Sequence, residues 1–232
     1  GALTDLAKHT VARWAGLGAA FRYFGIFACD YYLPMYFLRN YAANRAEFAV
    51  FYSLIVLFGG FTSALAGGVI CDKFGGGKPM TKANVCIIGN MIAMPMFAAA
   101  VLCTGNFWFS LAMIAGKYVF GEPWKSPAIT MMQNTTNPKK FGNIVSAYQF
   151  FYVMAGCLST LVFGGLVNYF NCASNPVAIG RLLAGFCTIA YTGASAAFYM
   201  AGRNYTSITT KTKFKLWGRG EPLGPNDPVW AY

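Results

Sequence analysis

The sequence predicts an all-α polytopic membrane protein with six transmembrane helices, and three observations predict it. Of its 232 residues, 56% are hydrophobic and 17% aromatic, with a mean hydropathy of +0.45. Only 11% are charged, against about 25% in soluble domains. The apolar residues gather in blocks of about 20, the length a helix needs to cross about 30 Å of hydrocarbon. This composition excludes a disordered chain. Blocks of this length without polar alternation also exclude the strands of an outer-membrane barrel.

Residues 1–14 carry Leu3, Leu6, Ala7, Thr10, Val11 and Trp14 at helical spacing, opposite Lys8 and Arg13. That pattern predicts a short amphipathic helix lying at the membrane interface. A bundle over 15–203 follows, with blocks at 17–38, 48–71, 84–103, 107–133, 143–170 and 180–202. The segment 204–232 changes character, and its last 15 residues hold three prolines and three glycines. It is expected to be an extended tail. Trp217, Trp230 and Tyr232 would rest at the headgroups or dock on a protein partner.

Eighteen Lys and Arg against seven Asp and Glu leave a net charge of +11. In a soluble domain that balance would suggest nucleic acid. Here the cations flank apolar blocks, so the positive-inside rule accounts for them and no nucleic-acid partner is expected. Six crossings put both termini on one face, together with the loops that hold Lys73, Lys78, Lys82, Lys139 and Lys140. Only Arg39, Arg45 and Arg181 fall on the opposite face. Both termini are therefore expected in the cytoplasm or an organelle matrix. The seven cysteines lie mostly inside apolar blocks, no C-x-x-C occurs, and His9 is the sole histidine. No metal site, disulfide framework or cofactor is expected.

The second block runs into GGVICDKFGGGKP, where Gly68, Asp72, Lys73, Gly75 and Lys78 fit G-x-x-x-D-[RK]-x-G-x-x-[RK]. Gly68 permits a close helix approach. Asp72 ends the helix, and the glycines allow the turn. The GGGK string is not a phosphate-binding loop, because Pro79 occupies the Ser/Thr position. The pattern resembles the inner-loop signature of the major facilitator superfamily. RYFGIFACDYYLPMYF is similar to the seventh helix of spinster-like members, and GEPWKSPAITMMQNTTNPKKFGNIVSAYQFF to their tenth and eleventh. Asp30 departs from the small residue that the subgroup tends to carry. The resemblance implies the C-terminal six-helix half of such a transporter. It also implies a second helical bundle, or other membrane subunits, against its pathway face.

Five ionisable residues fall at membrane depth. A carboxylate there costs a few kcal/mol or more, so Asp30 is either a coupling or substrate site or a structural ion pair. Arg22 is near enough to the inner end to snorkel. Lys117, Glu122 and Lys125 share the fourth block with Pro123 and Pro127, each of which removes an amide donor. That block is either a broken helix bordering a solute path or a kinked helix with a Glu122–Lys125 pair. Asn90 and Gln133 are expected as interhelical hydrogen-bond partners.

Two functions remain. One is a transporter-like accessory subunit of a larger membrane complex, such as a mitochondrial respiratory assembly. The other is half of an active secondary transporter for a small organic anion or amphipathic solute. An enzyme is not expected: the bundle holds no histidine and no second deep aspartate.

Overall fold

A computed structural model describes residues 2–74, 78–172 and 175–217. Its helices are α1 (Ala2–Lys8), α2 (Thr10–Asn40), α3 (Arg45–Leu54), α4 (Gly60–Phe74), α5 (Thr81–Leu102), α6 (Phe107–Gly121), α7 (Lys125–Gln133), α8 (Pro138–Tyr169) and α9 (Pro176–Trp217). No strand occurs among the described residues. A π-helical turn, Ile55–Gly59, joins α3 and α4 into one rod. α6 and α7 form a second, broken rod. Each predicted block is therefore one rod.

Asparagines start three of these helices. Asn106, Asn137 and Asn175 each accept backbone N–H bonds through the side-chain oxygen, at 3.0 Å from Trp108, Lys139 and Val177 respectively. Such caps satisfy donors that have no partner inside the helix.

Four segments are long and apolar enough to cross a membrane: Ala42–Cys71, Thr81–Leu102, Pro138–Tyr169 and Pro176–Thr212. The other two rods fall short for stated reasons. α2 carries Arg13, Arg22, Asp30 and Arg39, and the fourth rod stops at Glu122 and restarts at Lys125.

α9 packs on α2 and α5, α2 on α8, and α5 on α6. The α3–α4 rod leans on α6 and α7 and leaves most of its apolar surface exposed. Two apolar clusters fill the bundle. One holds Leu33, Tyr36, Phe97, Phe163 and Leu183, and the other Val11, Ala15, Trp124, Met131 and Phe198. The stretches of α2, α5 and the fourth rod that separate the clusters contain Arg22, Asn90 and Glu122, all buried. A polar layer thus divides the apolar core.

Two departures concern the ends. α2 begins at Thr10, so the expected interfacial segment 1–14 is α1 plus the first turn of α2, with a break at His9. The expected extended tail is helical up to Trp217. Tyr205 and Thr209 are buried there, Lys82 Nζ donates to Tyr205 Oη at 3.3 Å, and Asn134 Nδ2 does so at 3.1 Å. Tertiary packing overrides the weak helix propensity of the Thr-rich run. Residues 218–232, with the proposed docking residues Trp230 and Tyr232, lie outside the described residues.

Candidate functional site: a charged cluster around a broken helix

The centre of the site is the interruption between α6 and α7. Pro123 has no amide to donate and displaces the carbonyl four residues back, that of Val119. A freed carbonyl in hydrocarbon must find a donor. Ser63 Oγ of α4 donates to Val119 O. Two residues on, Arg22 Nη2 of α2 donates to Gly121 O at 2.7 Å. Cys86 Sγ of α5 lies 3.5 Å from Trp124 O. Three neighbouring helices therefore close the backbone groups around the break.

Glycine makes that approach possible. A Cβ on Gly67 would strike the Pro123 carbonyl, and one on Gly89 would lie 2.7 Å from Phe120 O. Gly68, the glycine of the inner-loop pattern, is looser, with Ser126 Oγ 3.1 Å from its Cβ position. Gly67 is thus the tighter contact, one residue from the expected one. Of the rest of that pattern, Lys73 and Lys78 are exposed. Gly75 and the Asp72 side chain lie outside the described residues.

All five ionisable residues expected at membrane depth converge here. Arg22 is fully buried, with its guanidinium carbon 3.7 Å from the centre of the Tyr191 ring and Nη2 3.8 Å from Glu122 Oε1. It does not snorkel. It stands about 18 Å along α2 from Thr10, where a carbonyl and a carboxylate of the broken rod are within reach of its guanidinium. Glu122 is also buried and pairs with Lys125 at 2.7 Å. The pairing of Glu122 and Lys125 foreseen from their spacing is therefore present, and Arg22 extends it across to α2.

Asp30 anchors a second group. Tyr118 Oη donates to Asp30 Oδ1 at 2.9 Å, and the buried Lys117 Nζ lies 4.0 Å from the same oxygen. Tyr118 has one proton and gives it to Asp30, so Tyr52 Oη is the donor in its 3.2 Å contact with Tyr118 Oη. The Asp30 side chain is 42% exposed. It faces a cleft of about 340 Å³ that Tyr23, Val56, Gly60, Glu122 and Lys125 also line. Val56 belongs to the π-helical turn, a feature often found at functional sites. The cleft wall is aromatic, with Tyr23 stacked on Tyr152 at 4.1 Å and edge-on to Trp124 at 5.9 Å.

Two expected hydrogen-bond partners do not act as such. Asn90 is buried with neither amide atom paired, and Gln133 is exposed. The residues that sequence reasoning missed are Tyr52, Tyr118 and Tyr191, together with Ser63, Gly67 and Gly89. Tyr118 had a local signal in its position beside Lys117. Tyr52 and Tyr191 lie in apolar blocks with nothing to distinguish them from packing residues.

Chemically, the arrangement offers three cations and two carboxylates joined across α2 and the fourth rod, beside an open cleft with an aromatic wall. Comparison with protein-family models, characterised proteins and solved structures gives no match.

Proposed function

We propose that the chain is a six-crossing half-bundle of the major facilitator type that serves as a fixed subunit of a larger membrane assembly. One observation carries this reading: the charged residues at membrane depth are bound to one another and to the broken helix. Arg22 ties Gly121 O and Glu122 to α2, and Lys117 and Tyr118 hold Asp30. Buried charges kept as internal ties would persist without transport, because removing one partner strands the other at a cost of about 3–5 kcal/mol. The exposed α3–α4 rod and the lateral cleft leave room for neighbouring subunits. The distribution of cations supports termini in the matrix or cytoplasm, and a mitochondrial inner-membrane assembly fits that sidedness.

The second reading, half of a working transporter, draws on the cleft and the partly exposed Asp30. One experiment separates the two. The chain is purified from its native membrane in mild detergent, its stoichiometry with co-purifying proteins is measured, and flux is assayed in reconstituted vesicles. Fixed stoichiometry with several unrelated subunits and no flux supports the subunit. Robust wild-type flux that collapses in Asp30→Asn overturns it.

A further inference from the structure

A second hollow system lies away from the charged cluster, between α2 and α8. One hollow of about 240 Å³ is lined by Leu6, Ala7, Arg13, Gly16, Leu17 and Phe151. A second, of about 200 Å³, is lined by Leu17, Ala20, Phe21, Phe24 and Ala155. They meet at Leu17. On α2 the positions 13, 17, 20 and 24 form one stripe at helical spacing, and on α8 Phe151 and Ala155 form the facing wall. The result is an almost wholly apolar groove with one charged residue, Arg13, at one end.

We propose that this groove binds an anionic glycerophospholipid, with one acyl chain along Leu17–Phe24 and the phosphate on Arg13. Three observations support the choice of occupant. From Arg13 to Phe24 the stripe rises about 16 Å at 1.5 Å per residue, close to one leaflet of a hydrocarbon core about 30 Å thick. Arg13 is exposed and makes no ion pair among the described residues, so its charge is free for a phosphate. Lys140 sits near the same end, bridging α8 to α1 through Asp5 at 3.5 Å. That pair ties α1 down where it closes the groove and leaves Arg13 as the unpaired charge there among the described residues. Basic pockets of this kind between helices on the inner face favour acidic headgroups. A helix from another protein would run into Leu6 and Ala7 of α1, which already line one end of the groove.

The test uses the full chain, with any co-purifying subunits, after delipidation in mild detergent. Thermal unfolding is followed on adding phosphatidylglycerol, phosphatidylcholine or inorganic phosphate. The expected result is a rise of several degrees with phosphatidylglycerol, a smaller one with phosphatidylcholine, and none with phosphate. Arg13→Gln should abolish the difference between the two lipids. Arg181→Gln, on the opposite face, should preserve it. Ala155→Phe, which fills the groove, should reduce the response to both lipids, and circular dichroism confirms that each variant is folded. The proposal is overturned if Arg13→Gln keeps the wild-type preference, if wild type shows none, or if phosphate alone matches the lipid. A photoreactive residue at Phe21 that captures a polypeptide instead of lipid also overturns it.

Discussion

Replacing Arg22 by Met tests the cluster most directly. The substitution preserves an unbranched stem and removes the guanidinium. Three contacts go with it: the 2.7 Å bond to Gly121 O, the 3.8 Å pair with Glu122, and the stacking on Tyr191. A hydrogen bond from a charged donor is worth about 1.5–3 kcal/mol, and a desolvated cation over an aromatic ring about 1–2 kcal/mol. Glu122 keeps Lys125 at 2.7 Å, which limits the penalty for its buried charge. Hydrogen bonds inside membranes measure nearer 0.6 kcal/mol, because the unfolded chain in lipid also finds partners. The expected loss is therefore about 2–4 kcal/mol, toward and below the low end of the roughly 3–5 kcal/mol that breaking a buried pair costs. In a domain of this size that lowers Tm by about 5–12 °C, read by thermal unfolding in detergent. Lys125→Met should cost less, because its side chain is 41% exposed and screened. The double variant Arg22→Met, Glu122→Met should lose less than the two singles together. Strict additivity, or an Arg22→Met protein as stable as wild type, would refute the claim that this pair holds the break.

Three further outcomes follow from packing and charge. Gly67→Ala drives a methyl into the Pro123 carbonyl and should cost about 1–3 kcal/mol. Gly60→Ala, with nothing within 4 Å of its Cβ position, should stabilise the α3–α4 rod by up to about 1 kcal/mol; equal melting temperatures for the two would contradict the close approach. Burial, and then the Lys140 charge, hold the His9 imidazole below its ordinary pKa of 6.5. The unfolded chain takes up that proton first as pH falls, so stability should be full above pH 6.5 and decline as pH drops through the folded value. Melting curves at pH 7.5 and 5.5 should show the decline, and His9→Gln should flatten it. Ser63→Ala strands the Val119 carbonyl and should lower stability by about 1–3 kcal/mol, whereas Ser53→Ala, at an exposed position bonded only within its own helix, should be nearly silent.

The rods were legible because four are long apolar runs and the other two differ only by charges or a break, and runs of that length are too long for strands. The break in the fourth rod was legible from Pro123 and Pro127. What satisfies it was not, because Ser63, Cys86 and Arg22 lie 37 to 101 residues away in sequence from Pro123 and look like ordinary block residues. Depth marked Arg22, Asp30, Lys117, Glu122 and Lys125 as a set. Only the Glu122–Lys125 pairing was readable, since a three-residue spacing puts both on one helical face. Arg22 was misread as snorkelling because distance from a block end says nothing about which way a side chain turns. The end of α9 was misread because Pro and Gly beyond residue 217 were allowed to colour Tyr205, Ile208, Thr209 and Thr212, which recur at helical spacing.

The length of α9 has a consequence beyond the packed bundle. From Arg203 to Trp217 it continues about 21 Å beyond the last apolar block, at 1.5 Å per residue. Its first two turns there are moored to Lys82 and Asn134 through Tyr205. The remaining turns continue the same helix to Trp217, so a protease or an antibody directed at this segment would meet helix where the composition suggests extended chain.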